Sequence, residues 1–303
     1  MNVAPLQTTG LGKRYGDTVA LRDLELRVEP GEVLGFLGPN GAGKTTTLRL
    51  CLDLLRPSTG KVELFGQPPS AATARARVGY LPGELVLDER LSADAQLTLL
   101  DGLRTRATPP CDPRRRDELC ERLGLSTRDR AKRQRELSRG NKQKVGLVAA
   151  FQHDPELLVL DEPSTALDPL VRDALFELLV ETGQRGRSVI HSSHVLTEIE
   201  RTSTRVLVLR GGVRVPVKDL SELRASLPRR MRVRFQGEVP RAALERAGAE
   251  ILRLDGGQVE LRLAGAPDRI LAVLHAERVL DFAYPEADLD AAFAALYAEE
   301  RAS

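Results

Sequence analysis

Short apolar runs alternate with longer stretches of helical periodicity over roughly the first two hundred residues. The runs that predict strands are 18–28, 32–37, 62–65, 157–160, 188–191 and 205–209. Helical spacing is clear in the recurrence of Leu48, Cys51, Leu52 and Leu55, which ends at residues 56–60. Strands that alternate with helices are typical of a mostly parallel sheet covered by helices, so we predict an α/β fold.

The pattern changes between residues 91 and 144, where strand signals disappear. Leucines recur at helical spacing around residues 97–103 and again around 119–125, with a Pro-Pro pair between the two groups. We therefore predict a helical subdomain, at about residues 88–150, inserted into the α/β domain.

A second change of character follows Gly211 and Gly212. Apolar and polar residues alternate around 231–235 and 259–263, which predicts two half-buried strands. Helical patterns interleave with them at 240–248, 267–277 and 287–298. The sequence thus predicts two domains, a larger one at residues 1–213 and a small α/β domain at residues 214–303.

Composition excludes several classes of protein. Hydrophobic residues make up 42% and charged residues 29%, which is ordinary globular usage and argues against a mainly disordered or fibrous chain. The longest stretches without a charged residue contain 11 residues, whereas a membrane helix needs about 20. The first residues do not resemble a secretory signal, and three cysteines without a CxxC pair suggest reduced thiols. We expect a cytosolic address, and a net charge of +2 gives no general preference for nucleic acid.

The first chemical motif follows a predicted strand and precedes a helical pattern. It is the run Gly38, Pro39, Asn40, Gly41, Ala42, Gly43, Lys44 and Thr45, followed by Thr46. The run has the form GxxxxGK[ST] of a phosphate-binding loop. Glycines let backbone N–H groups turn toward a phosphate, Lys44 supplies a mobile cation, and the Thr45 hydroxyl can bind Mg²⁺. The alternative is a Gly-rich turn with a solvated lysine.

Two adjacent carboxylates, Asp161 and Glu162, end the apolar strand at 157–160. Beside a phosphate loop, Asp161 can hold Mg²⁺ through its water shell, and Glu162 can orient or deprotonate the water that attacks the γ-phosphate. The alternative is a strand that emerges into solvent through a polar turn.

This combination resembles the nucleotide-binding subunit of an ABC transporter, over about residues 3–213. Leu137, Ser138, Arg139, Gly140 and Asn141 are similar to the LSGGQ signature of that family, with Arg139 and Asn141 departing from it. The resemblance implies that this segment reaches the ATP of the other subunit. From the residues alone, Ser138 is a good cap for a helix running to residue 151, which would direct its N–H groups toward a phosphate.

Further residues extend the resemblance. Asp168 resembles the acidic residue of the loop that links the two ATP sites, and it can also cap the following helix. His194 resembles the switch histidine that hydrogen-bonds the γ-phosphate, and we prefer it to His191, which would be structural. Tyr15 resembles the aromatic residue that stacks on adenine, its alternative being a half-buried strand tyrosine.

One motif of the family is altered. Gly83 occupies the position of the glutamine that touches Mg²⁺ and couples to the membrane partner. Glycine has no side chain for this task, so Glu84 or a water molecule is the candidate replacement. In the C-terminal domain, the segment at residues 285–289 is similar to the ending of accessory domains in some drug-exporter ATPases.

The resemblance implies an ATPase that requires ATP and Mg²⁺, forms a homodimer around two ATP molecules, and works with a separate integral-membrane permease at the cytoplasmic face of the membrane. Catalysis is assigned to Glu162, His194 and Lys44. One alternative is a soluble ABC protein acting on ribosomes or DNA, although such proteins usually carry two phosphate loops. Another is a nucleotide sensor that does not hydrolyse ATP.

A basic run at residues 128–144 holds eight basic residues, two acidic residues and no aromatic residue. This composition favours a solvated face first, contact with lipid or the permease second, and nucleic acid last.

Overall fold

The computed structural model describes residues 3–103, 110–216, 229–263 and 267–284. The chain divides into two compact units, Met1–Pro216 and Val217–Ser303, and each is described by itself. The predicted boundary after residue 213 falls at the start of the strand Val213–Val215, which pairs within the first unit. The unit therefore extends a few residues further than predicted.

The first unit contains strands and helices in alternation. Its strands are β1 Leu6–Tyr15, β2 Thr18–Val28, β3 Val33–Leu37, β4 Thr59–Leu64, β5 Val78–Leu81, β6 Leu157–Leu160, β7 Ser188–Ser193, β8 Arg205–Arg210 and β9 Val213–Val215. Its helices are α1 Lys44–Cys51, α2 Ala72–Arg75, α3 Ala93–Gly102, α4 Pro113–Arg122, α5 Thr127–Ala131, α6 Arg139–Phe151, α7 Pro169–Gln184 and α8 Leu196–Thr202. A 3-10 turn lies at Gln134–Glu136. None of the helices in the described ranges is long and apolar enough to cross a membrane.

A six-stranded sheet forms the centre of this unit, in the order β5-β6-β7-β3-β8-β9. All neighbouring strands are parallel except β8 and β9. Because β6, β7 and β3 are adjacent and parallel, their carboxyl ends lie at one edge of the sheet. The loops that carry the phosphate-loop motif, the two carboxylates and His194 all leave this edge.

The sheet is buried on both faces, as a parallel sheet between helices must be. In β6, Leu158 and Leu160 face a cluster that includes α6 and α7, whereas Leu157 and Val159 face a second cluster that includes α1 and β1. Every residue of β6 is fully buried. Each such leucine stabilises the fold by about 2 kcal/mol, so this continuous apolar run is a strong strand signal.

Some elements were not predicted. Strand β1 was not predicted, because it contains two glycines and register shifts that interrupt its alternation. It lies between β2 and β4, which were predicted, in a separate antiparallel sheet. Strand β5 is only four residues long. Helix α1 ends at Cys51, earlier than the apolar spacing predicts, and Asp53 then has a positive φ of 58° that ends the helical path.

The predicted helical subdomain is confirmed as a fold feature: in the described part of residues 91–144, α3, α4, α5, the 3-10 turn and the start of α6 are the regular elements. The cysteines Cys51, Cys111 and Cys120 are buried and form no disulfide bond. Burial raises the pKa of the Cys51 thiol to about 12, so this group stays protonated.

The second unit contains β10 Arg229–Phe235, α9 Arg241–Arg246, β11 Ala249–Asp255, β12 Gln258–Leu263, α10 Asp268–Ala276 and β13 Val279–Ala283. The strands form an antiparallel sheet in the order β11-β12-β10-β13, which with this βαββαβ sequence is the ferredoxin-like arrangement. The core combines Met231, Val233 and Phe235 with residues of both helices. The predicted strands at 231–235 and 259–263 and the helices at 240–248 and 267–277 are present, while the predicted helix at 287–298 and the segment 285–289 lie outside the described residues.

Candidate functional site

The phosphate-loop motif forms the turn between β3 and α1. Gly43 has a φ of 102°, and a Cβ at this position would lie 2.6 Å from the carbonyl oxygen of Ala20. Gly38 is similarly constrained, since a Cβ there would lie 2.3 Å from the Leu209 oxygen. The first N–H groups of a helix have no partner inside the helix, and the residues that begin α1, Lys44, Thr45 and Thr46, line the cavity beside the loop. The residues that line this cavity are Ala20, Pro39, Asn40, Gly41, Ala42, Gly43, Lys44, Thr45, Thr46 and Glu162.

Lys44 is the first residue of α1, and its side chain is only 6% exposed. Its ammonium donates hydrogen bonds to the carbonyl oxygens of Gly38 and Pro39. The ammonium nitrogen also lies 3.3 Å from Glu162 Oε1, as an ion pair without hydrogen-bond geometry. The lysine is therefore held inside the cavity beside the helix end, where an anionic ligand would be attracted by both.

Asp161 is fully buried at the end of β6. Its Oδ1 accepts a hydrogen bond of 2.6 Å from Ser192 Oγ, whereas Oδ2 has no hydrogen-bond partner among the described residues. A buried, unpaired carboxylate oxygen is costly and calls for a ligand. Carboxylate and hydroxyl oxygens are the ligands that Mg²⁺ prefers, so Asp161 and Thr45 fit this ion.

Glu162 has a positive φ of 49°, an unusual backbone conformation for a residue with a side chain. Its N–H donates a hydrogen bond of 2.9 Å to Ser192 Oγ. Its Oε2 lies 3.0 Å from His194 Nδ1. The structure thus brings the carboxylate predicted as base together with the predicted histidine and with Lys44.

The two candidate histidines occupy different environments. His194 is 41% exposed and faces the loop of Glu162. His191 is buried in β7, with Nε2 at 2.8 Å from Thr202 Oγ1 and 3.1 Å from Ser203 Oγ. Burial lowers the pKa of His191 to about 4, so its ring is neutral at physiological pH. His194, and not His191, is placed beside the carboxylate.

The segment that resembles the family signature forms the start of α6. Ser138 is its N-cap, accepting a hydrogen bond of 3.2 Å from the Asn141 N–H, as predicted. Gly140 allows close packing, because a Cβ there would lie 2.7 Å from the Ala166 oxygen. Arg139 is exposed. The first turn of α6 therefore presents its backbone donors at a polar, accessible helix end.

Asp168 caps α7, also as predicted. Its Oδ1 accepts a hydrogen bond of 3.1 Å from the Val171 N–H, and its Oδ2 lies 4.0 Å from Lys144 Nζ. Tyr15 stands at the end of β1, where its ring is 48% exposed and lies 5.1 Å below the Lys13 ammonium. An exposed ring of this kind is available for stacking.

The altered motif lies directly against Asp161. A Cβ at Gly83 would lie 2.9 Å from Asp161 Oδ2, so the glycine leaves space next to the unpaired oxygen. Glu84 is exposed and forms no hydrogen bond or ion pair with the residues described. The role of Glu84 as a replacement for the glutamine stays a prediction.

Three contributors were not predicted from the sequence. Ser192 bridges Asp161 and the Glu162 N–H, Ala20 lines the cavity from β2, and Glu198 contacts two of the loops. Of these three, only Ser192 carried any signal in the sequence, since a polar residue inside a buried strand needs a partner.

The loop, the carboxylates and the sheet order define a phosphate-binding α/β ATPase fold. A family model described as ABC transporter matches residues 21–165. An uncharacterized ABC transporter ATP-binding protein of Nostoc sp. is 41% identical over 210 residues, which are 69% of this chain and 62% of that protein. Nod factor export ATP-binding protein I of Burkholderia pseudomallei is 38% identical over 220 residues, 71% of each protein.

Solved structures agree with these relatives. The ATP-binding subunit of an ABC transporter is 28% identical with a TM-score of 0.63, covering 72% of this chain and 92% of that one. A dimeric bacterial ABC transporter cassette is 22% identical with a TM-score of 0.65, covering 71% and 98%, and shares the fold. This chain belongs to the family of ABC transporter ATP-binding proteins.

Proposed function

We propose that this protein is the ATP-hydrolysing subunit of an ABC exporter, which energises transport through a separate membrane permease. The observation that carries the proposal is the position of the Glu162 carboxylate, between the Lys44 ammonium and the His194 ring at the edge of the phosphate-loop cavity. A base, a cation and a hydrogen-bond donor around one phosphate-sized space suit hydrolysis of a phosphoanhydride better than binding alone.

In this proposal the chain's residues divide the work. The N–H groups of the loop and Lys44 hold the phosphates, Tyr15 stacks on the base, and His194 donates to the terminal phosphate. Glu162 orients a water molecule in line with the terminal phosphate and accepts its proton as the bond to the leaving ADP breaks. Thr45 and Asp161 would hold Mg²⁺, which when bound neutralises charge on the phosphates.

A homodimer completes the proposed site. One chain carries the phosphate loop and also the signature helix end at Ser138, Arg139, Gly140 and Asn141, so two copies placed head to tail would form two sites. Asp168, the cap of α7, would contact the second copy. A cassette that shares the fold is dimeric, which supports this arrangement.

The proposed direction of transport and the proposed membrane partner are inferred from relatives. The Burkholderia proteins are named for Nod factor export, which supports an outward direction here.

The basic run at 128–144 does not favour a ribosome- or DNA-acting protein. Arg130 pairs with Asp94 and Asp117, and Lys132 with Asp129, so the run is not one continuous basic surface.

The test is capture of the partner. A tagged Glu162→Gln form, expressed in its own cells and held with ATP and Mg²⁺, should co-purify with a polytopic membrane protein, and wild type with ADP is the control. Co-purification of ribosomes or nucleic acid without a membrane protein would overturn the proposal.

A further inference from the structure

One buried carboxylate outside the described machinery joins two of its loops. Glu198 lies in α8, and only 8% of its surface is exposed. Its Oε2 accepts a hydrogen bond of 2.8 Å from Ser164 Oγ and another of 2.8 Å from Ser193 Oγ. Two hydroxyl groups from different loops therefore share a single acceptor atom. Hydrogen bonds to a charged acceptor are stronger than neutral ones.

Ser193 belongs to the loop of the switch histidine. It is the last residue of β7 and directly precedes His194. Its hydroxyl, which donates to Glu198, also accepts a hydrogen bond of 3.0 Å from the Val195 N–H. The backbone on both sides of His194 is thereby tied to one side chain, and through that side chain to Glu198.

Ser164 belongs to the loop of the carboxylate base. It follows Glu162 by two residues, in a turn where the Thr165 N–H donates a hydrogen bond of 3.2 Å to the backbone carbonyl oxygen of Glu162. The N–H of Leu167, which directly precedes the cap residue Asp168, donates a hydrogen bond of 3.2 Å to the backbone carbonyl oxygen of Ser164. Glu198 thus holds this turn at its middle.

We propose that Glu198 is a positioning residue, which sets the distance between the Glu162 and His194 side chains by fastening their two loops to each other. The inference rests on the proposed function, because it assigns Glu198 a role in the turnover of ATP. The 3.0 Å contact between Glu162 and His194 spans the two loops. If Glu198 could not accept these two hydrogen bonds, each loop would keep its own turn. The link between Ser164 and Ser193 through Glu198 would then be lost.

The first experiment compares variants of the full chain. Glu198→Ala should lower kcat for ATP hydrolysis by about 10- to 100-fold and leave KM for ATP within about twofold, since misplacement by an ångström costs turnover more than binding. Glu198→Gln should stay within about threefold of wild type, because its amide oxygen can accept the same two hydroxyl groups. Thr197→Ala is the matched control on the same helix. The Thr197 side chain forms no hydrogen bond within the described ranges.

The second experiment tests the bridge itself. Ser164→Ala and Ser193→Ala each remove one hydroxyl, and each should lower kcat. If the two loops act through one acceptor, the double variant should be no slower than the slower single variant, within about twofold. Independent, additive losses would overturn the proposal. These serine variants also serve if Glu198→Ala fails to fold.

The outcomes separate the two proposals. The proposed function would be contradicted if the wild-type protein binds ATP but does not hydrolyse it. Normal turnover in wild type and in Glu198→Ala would refute only the role of Glu198. A loss in Glu198→Gln as large as in Glu198→Ala, or an equal rise in KM, would also overturn the inference.

Discussion

At the scale of single residues, the backbone of Glu162 is held in a conformation that most residues avoid. A φ of 49° costs about 1–2 kcal/mol for a residue with a side chain. Ser192 offsets this cost, because its hydroxyl accepts the Glu162 N–H while donating to Asp161. One serine therefore holds both the Asp161 carboxylate and the Glu162 backbone, and strain of this kind concentrates at functional sites.

Glu162→Gln should keep ATP binding within about threefold and lower kcat by about 100-fold or more, because an amide cannot accept the proton of the attacking water. Binding would be measured with a fluorescent ATP analogue and turnover by phosphate release. Glu177→Gln, an exposed change on α7, is the control. Wild-type turnover in the Glu162 variant would refute the assigned role.

His191 should make stability depend on pH. Burial lowers its pKa to about 4 in the folded state, against an ordinary value of 6.5, so the unfolded chain binds more protons between these limits. The free energy of unfolding therefore falls as pH falls through this window. From pH 7 to pH 5, the loss should amount to about 2 kcal/mol.

His191→Gln should remove that part of the pH dependence, since the amide does not titrate. Denaturant unfolding at both pH values measures it, with His153→Gln in the same unit as control. An unchanged slope of stability against pH in His191→Gln would contradict the buried, neutral state of this ring.

At the scale of elements, helix ends carry much of the candidate chemistry. The phosphate loop opens α1, Ser138 caps α6 and Asp168 caps α7, so three helix N-termini lie next to motif residues. Each N-terminus offers unpaired N–H groups and a positive potential. The parallel order of β6, β7 and β3 places their loops at one sheet edge.

Two serine caps permit a matched comparison. Ser138 caps α6 and Ser126 caps α5, each accepting from an N–H three residues on, at 3.2 and 3.1 Å. Either change to alanine should lower the free energy of unfolding by about 1 kcal/mol. Only Ser138→Ala should also lower ATP turnover. Equal turnover in both variants would argue that Ser138 is a cap and nothing more.

At the scale of the whole molecule, the ATP machinery lies within one of two compact units. The described site residues, from Tyr15 to His194, belong to Met1–Pro216. The alignments with relatives and solved structures cover 69 to 72% of the chain, as expected if they share mainly this unit. The ferredoxin-like unit uses a separate core around Met231 and Val233.

A chain truncated after Pro216 should therefore fold and bind ATP with an affinity within about threefold of the full chain, because a compact unit keeps its own core. Fluorescent nucleotide titration measures the affinity, and circular dichroism verifies the fold. Dimerisation with ATP would be compared in the Glu162→Gln background. A folded but non-binding truncation would contradict this prediction.

The sequence by itself determined the features that depend on neighbours along the chain. Strand β6 is a continuous apolar run, the phosphate loop is a spacing of glycines and lysine, and the caps Ser138 and Asp168 act on N–H groups three residues away. These signals are local, so a single window of sequence contains them. The same reasoning extended α1 too far, because the positive φ of Asp53 leaves no mark in apolar spacing.

Only the tertiary structure decided which distant residues meet. Strands β1 and β5 are weak by pattern. Each pairs with a strand that is distant in the chain, β1 with β4 and β5 with β6. The contacts of Ser192 with Asp161, and of Glu198 with Ser164, join segments about 30 residues apart. No periodicity encodes such contacts, because the sheet order that creates them is set by the packing of the whole unit.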